Sequence, residues 1–122
     1  MNSTTCLLRQ IHPSFIQAGR VTSQAFRPTP KDEKKLSVYD GGQISCEDAW
    51  EHYTDVLKLK SIGTQKLTIE ECQRYGLAVI ADPTTFKEHM LIDFSNFSER
   101  EIKKKAKSLR SFAEKRGWCY EV

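Results

Sequence analysis

The sequence predicts a single α+β domain over residues 1–122: a mainly antiparallel or mixed sheet of about five strands, with two longer helices and one short helix. Three observations lead there. A hydroxyl residue stands three positions before an acid at Ser45 and Asp48, Thr68 and Glu71, and Ser98 and Glu101, the pattern that opens a helix. Five short runs are rich in β-branched and aromatic residues and are bounded by turn-forming residues. The resulting order, three strands, a helix, a short helix, two strands and a long helix, lacks the strict alternation of repeated βαβ units.

The strand candidates in chain order are Cys6 to His12, Arg20 to Phe26, Lys35 to Asp40, Leu77 to Asp82 and His89 to Phe94. Breaks at HPS, RPTPKD, DGG and ADPTT separate them from their neighbours, and residues 60–67 read equally well as strand or loop. The first helix is expected from Cys46 to Leu57, with Ala49, Trp50, Tyr53, Val56 and Leu57 on one side and Glu47, Glu51 and Asp55 on the other. A short second helix runs from Ile69 to Tyr75 and stops at Gly76. The third begins at Glu99, sets Ile102, Ala106, Leu109 and Ala113 on one stripe, and ends at Gly117.

Composition sets outer limits. With 39% hydrophobic and 29% charged residues, the chain of 122 residues carries enough apolar surface for one core and not enough for two. No run approaches the roughly 18 apolar residues of a membrane helix, and the first ten residues lack the pattern of a secretory signal, so a cytoplasmic protein without membrane contact is expected. The four cysteines, Cys6, Cys46, Cys72 and Cys119, form no C-x-x-C pair and read as free thiols of a reducing compartment. His12, His52, His89 and Asp93 show no ligand spacing, so no metal is expected, and nothing calls for a cofactor.

Two groups of residues stand out as candidate sites. The N-terminal forty residues gather Arg9, His12, Arg20, Ser23, Gln24, Arg27, Lys31 and Asp32, side chains suited to binding anions and orienting a substrate. Arg9, His12, Ser23, Gln24 and Arg27 make up the candidate polar pocket. Strand alternation sends Arg9 and His12 to opposite faces unless Pro13 takes His12 out of regular pairing. The second group is the third helix, where eight basic residues face three acidic ones between Glu99 and Arg116 while the whole chain has a net charge of +3. Arg100, Lys103, Lys104, Lys107 and Arg110 form a basic surface opposite the apolar stripe. That arc suits a phosphate backbone but lacks interleaved aromatic residues for stacking on bases.

The segment GRVTSQAFRPTPKD, Gly19 to Asp32, together with the terminal Arg116-Gly117-Trp118, resembles a stretch recurrent in short uncharacterised bacterial proteins. The resemblance covers most of the chain and implies no transferable activity.

No nucleophile elbow, phosphate-binding loop or dinucleotide fingerprint is present. By elimination the leading expectation is a non-catalytic accessory protein that works through a protein partner, an immunity-like component of a multi-protein system. A small NAD- or nucleotide-using transferase is the alternative, built on Arg9 or His12, on Ser23 and on Glu70 or Glu71. Weak nucleic-acid binding through the basic helix is the less favoured third reading.

Overall fold

The computed structural model describes residues 2–29, 31 and 33–122. Its main sheet has six strands, all antiparallel to their neighbours. In chain order the strands of the fold are β1 (Cys6–Gln10), β2 (Ile16–Gln17), β3 (Arg20–Val21), β4 (Lys35–Asp40), β5 (Gly63–Thr68), β6 (Ala78–Ala81), β7 (His89–Asp93) and β8 (Tyr120–Glu121). The sheet order is β6-β7-β4-β1-β5-β8, and β2 and β3 pair separately as a small hairpin. The helices are α1 (Cys46–Glu51), α2 (Ile69–Arg74) and α3 (Glu99–Arg116). The α+β class expected from the sequence holds.

Helix starts follow the local signals. Thr68 and Glu71 form a reciprocal capping box, as do Ser98 and Glu101, whereas Ser45 accepts from the Asp48 amide without a return bond. Asp is one methylene too short to reach back, the physical difference between the strict box and its weaker version. Gly117 closes α3 with a positive φ of 78°, which only glycine adopts without strain.

The two faces of the sheet are covered differently. Leu7, Leu36, Val38, Leu67, Met90 and Ile92 face α3 and pack with Ile102, Ala106, Leu109 and Ala113, the stripe read from the sequence. The opposite face carries Leu8 and Tyr39, which pack with Ala49 of α1 and with Tyr53 and Phe86. This second layer is much smaller and leaves part of the sheet open.

Four expectations change. Only Arg20–Val21 of the run Arg20 to Phe26 is strand. Residues Ser23–Phe26 form a 3-10 turn that sinks Ala25 and Phe26 into the main core. The Thr22 N–H and hydroxyl both donate to the Phe15 carbonyl, the next ladder position of the β2–β3 hairpin, and the 3-10 turn begins after it. The first helix loses α geometry at His52 and continues as a π turn over His52–Val56. The undecided segment supplies β5, and β8 was not anticipated. Gly63 makes the β5–β8 pairing close enough to form, since a Cβ there would lie 2.5 Å from the Tyr120 carbonyl and 2.9 Å from the Trp118 ring.

The cysteines are the fourth correction. Cys46 at the start of α1 and Cys119 beside β8 form a disulfide, with Cα atoms 5.9 Å apart, while Cys6 and Cys72 remain free. Sequence spacing could not reveal it, because the pair is brought together by β8, which folds the terminus back onto β5. Cys72 is fully buried, and desolvation pushes its thiol up to about 12, so it is chemically quiet. Among the described residues no helix is long and apolar enough to cross a membrane.

Candidate functional site

Antiparallel register builds the site. On the open face, β4 presents Lys35, Ser37 and Tyr39, and its partner β7 presents Asp93, Leu91 and His89 opposite them. β6 pairs Ala81 with Met90, so Asp82, one residue on, stands opposite His89 on the same face, with its amide bonded to the His89 carbonyl at 2.9 Å. Asp82, just past the end of β6, therefore stands across from His89, and Ser37 lies diagonally across from His89 on β4, two residues from the Tyr39 that pairs with it. The three are bonded in the order Asp82, His89, Ser37: His89 Nδ1 to Asp82 Oδ2 at 2.9 Å, and His89 Nε2 to Ser37 Oγ at 3.1 Å.

Electrostatics fix the direction of these bonds. Hydrogen bonds from the Thr85 and Thr84 hydroxyls and from His89 hold the Asp82 carboxyl below its ordinary range, so it is ionised and can only accept. The proton between the two thus sits on His89 Nδ1. In the neutral ring Nε2 is then an acceptor, and the Ser37 hydroxyl donates to it. His89 is buried, Asp82 is partly covered and Ser37 is exposed, so the chain runs from an anchored carboxylate to an accessible hydroxyl.

A cavity of about 310 Å³ opens over His89 and Ser37. Its floor includes Leu8, Gln10, Ser37, Tyr39 and His89, and its walls come from Tyr53, Leu57 and Leu59 after α1 and from Thr85 and Phe86 in the β6–β7 turn. The π turn matters here because it leads directly into the Leu57–Leu59 rim, and such turns recur at functional sites. Phe86 braces the site: its ring centroid lies 4.8 Å from that of His89, 4.7 Å from His52 and 5.0 Å from Tyr39. Tyr39 Oη is 2.7 Å from His52 Nδ1. Burial pushes the Tyr39 phenol far above its ordinary value, aided by the nearby Tyr53 and Glu88, so it keeps its proton.

The cavity exists because two central strands part. β1 and β4 are paired only at Leu7–Asp40 and Leu8–Tyr39. Beyond that point Arg9 bridges the gap, donating from Nη1 to the Ser37 carbonyl at 2.9 Å and from Nε to the Ala25 carbonyl at 2.6 Å. Gln10 stands where continued pairing would put it opposite Ser37.

Of the candidate polar-pocket residues Arg9, His12, Ser23, Gln24 and Arg27, Arg9 alone lines this cavity. His12 caps the turn Pro13–Phe15, its Nδ1 accepting from the Ser14 amide at 2.9 Å. Ser23 lies in a separate shallow depression with Thr22, Arg20, Lys107 and Arg110. Gln24 is exposed and Arg27 half-buried, and Asp32 falls outside the described residues. Glu71 is bound to Arg116 by two bonds of 2.6 and 2.8 Å, and Glu70 pairs with Arg74, so neither approaches Ser23 or Arg9 as a shared site requires. On α3, Arg100, Lys103, Lys104 and Lys107 are exposed, whereas Arg110 donates to the Val21 carbonyl and pairs with Glu114. Among the described residues no three His, Cys, Asp or Glu side chains are grouped to hold a metal ion.

The sequence reading missed Ser37, Asp82 and the role of His89. One signal was present: Asp82 and His89 flank a seven-residue-spaced turn between two strands, which places them opposite each other in a hairpin. Nothing in the sequence joins Ser37 to them across 52 positions. In comparisons with known proteins the chain matches no family model, no curated protein and no solved structure.

Proposed function

We propose that this protein is a small acyl hydrolase or acyltransferase in which Ser37 is the nucleophile, His89 the general base and Asp82 the residue that positions His89. The observation that carries this reading is the hydrogen-bonded order carboxylate–Nδ1 and Nε2–hydroxyl, with His89 and Ser37 lining a cavity. Those are the contacts a serine nucleophile needs, recognised by geometry and not by position in the chain. A volume of 310 Å³ is at the lower end for small-molecule sites and suits a short acyl group.

The reaction follows from these contacts. Ser37 Oγ attacks the carbonyl carbon as its proton passes to His89 Nε2, and the ionised Asp82 stabilises the imidazolium formed. Collapse of the tetrahedral intermediate expels the leaving alcohol, which takes the proton from Nε2. Water, deprotonated by the same nitrogen, then attacks the acyl-Ser37 ester and releases the carboxylic acid. The sum is ester plus water giving acid plus alcohol.

Hydrolysis of short-chain aryl esters tests the reading. Ser37→Ala and His89→Gln should each lower kcat by about 10³-fold or more. Unchanged rates in both variants would remove the proposal.

A second reading keeps the accessory role in a protein complex expected from the sequence. It is favoured by three exposed apolar side chains around the π turn: Val56, Leu57 and Leu59 are 65%, 37% and 48% exposed. Val56→Asp separates the two readings, since it should abolish recovery of a specific partner from the native host while leaving ester hydrolysis intact. Cytoplasmic residence belongs to that second reading. The Cys46–Cys119 pair argues the other way, since such bonds persist where the surroundings oxidise thiols.

A further inference from the structure

Gln10 is only 4% exposed, yet its side-chain Nε2 has no hydrogen-bond partner. Its other end is well held: the Thr64 hydroxyl donates to Oε1 at 3.1 Å, and the Ser61 hydroxyl lies 2.8 Å from the same atom. With Oε1 anchored on the β5 side, Nε2 is left as the unpartnered end of a fixed amide, covered by its neighbours, in a residue that lines the cavity. A buried donor left without an acceptor is destabilising, and in a residue that lines a cavity it calls for a partner the fold does not supply.

Register places this donor relative to the nucleophile. The β1–β4 pairs Leu7–Asp40 and Leu8–Tyr39 continue to Gln10 opposite Ser37, so both side chains belong to the open face on either side of the gap. Tyr53, Leu57, Leu59 and Phe86 supply the apolar part of the walls, three of them from the segment after α1, and Arg9 and Thr85 are polar members of the lining.

Resting on the hydrolase reading above, we propose that Gln10 Nε2 is the oxyanion donor of this site and that the substrate is the ester or thioester of a short, uncharged aliphatic acid. The carbonyl oxygen, which gains charge when Ser37 attacks, pairs with Nε2, and the aliphatic chain lies against Leu57 and Leu59. Because Nε2 is sealed from water, the substrate oxygen reaches it by displacing neighbouring side chains. The recovered cost of the orphan favours that exchange, and favours it most when the oxygen is negative.

Butylboronic acid is the probe, since its boron takes up the Ser37 oxygen as a tetrahedral anion. In protein labelled with ¹⁵N, the Gln10 side-chain amide resonances should move on saturation, and this needs no variant to fold. Gln10→Met should weaken inhibition by about 10²-fold with its melting temperature recorded alongside. Ser37-dependent binding with an unmoved Gln10 amide, or with equal inhibition of folded Gln10→Met, overturns the oxyanion assignment and leaves Ser37 as nucleophile. Binding that is absent, or unaffected by Ser37→Ala, overturns both.

Discussion

At the residue scale, the decisive feature is how Asp82 is held. Its carboxylate accepts from two threonine hydroxyls of its own turn as well as from His89, so it stays ionised and fixes one tautomer of the ring. Asp82→Asn removes the charge while keeping the shape, and is expected to lower kcat by about 10⁴-fold with little change in KM. A structural role alone would not move a second readout, the downfield proton resonance of His89 Nδ1, which should be lost in Asp82→Asn and retained in Ser37→Ala. Ser37, His89 and Asp82 were illegible in the sequence for a physical reason. Ser37 and His89 sit on different strands and Asp82 in the turn after a third, and only the pairing register turns separations of 7 and 52 positions into contacts. Arg9 was legible as a polar residue of the first strand, but its role as the bridge across a parted sheet was not. The cluster Ser23, Gln24 and Arg27 did not form the expected pocket: Ala25 and Phe26 are drawn into the core, and it is the Ala25 carbonyl that Arg9 reaches.

At the element scale, helix ends were readable because capping is local chemistry, complete within four residues. Strands were less so. The edge strand β8 has two residues, and β5, with the sequence GTQKLT, has too little apolar alternation to separate strand from loop. Two ties then fasten elements together. The Glu71–Arg116 pair joins α2 to the end of α3; burial raises the Glu71 carboxyl, but bonds from Arg116 and the Thr68 amide outweigh it and leave the group below its ordinary value of 4.5. A carboxyl depressed in the fold adds stability that is complete above the unfolded value and is lost as pH falls through the lower folded one. Glu71→Gln should therefore cost about 1–2 kcal/mol at pH 7, since Arg116 keeps 31% of its side chain in water. Thermal melts should show that loss shrinking below about pH 4.5, and a loss independent of pH would refute the assignment. The Cys46–Cys119 bond spans 73 positions. On chain-entropy grounds its reduction should cost about 4 kcal/mol, which calorimetry with and without reductant would read as a fall in melting temperature on the order of 10 °C. Gly63→Ala tests the same corner, as the added methyl has no room against β8.

For the whole molecule, one face of the sheet is committed to stability and the other is free for chemistry. The α3 side holds nearly all of the large buried side chains, and among the described residues the opposite side has Leu8, Tyr39 and Ala49 as its buried apolar cluster. That asymmetry leaves room for a cavity beside the parted strands. The outer arc of α3 is a solvated surface in this account, with Arg110 and Lys105 turned back onto the fold: Lys105 Nζ donates to the Tyr75 carbonyl and stands 4.1 Å from the Phe97 ring centroid. No salt-sensitive binding of duplex DNA is expected at physiological ionic strength, and a complex lost in Lys103→Gln, Lys104→Gln and Lys107→Gln combined would show that the arc has a role of its own. The central claim is that Ser37 is a nucleophile activated through His89. Intact-mass analysis after treatment with a fluorophosphonate tests it most directly, because the reagent bonds only to an activated hydroxyl. A single adduct mapped to Ser37, absent in Ser37→Ala and strongly slowed in His89→Gln, is the predicted result; an unmodified protein, or an adduct on another residue, would contradict it.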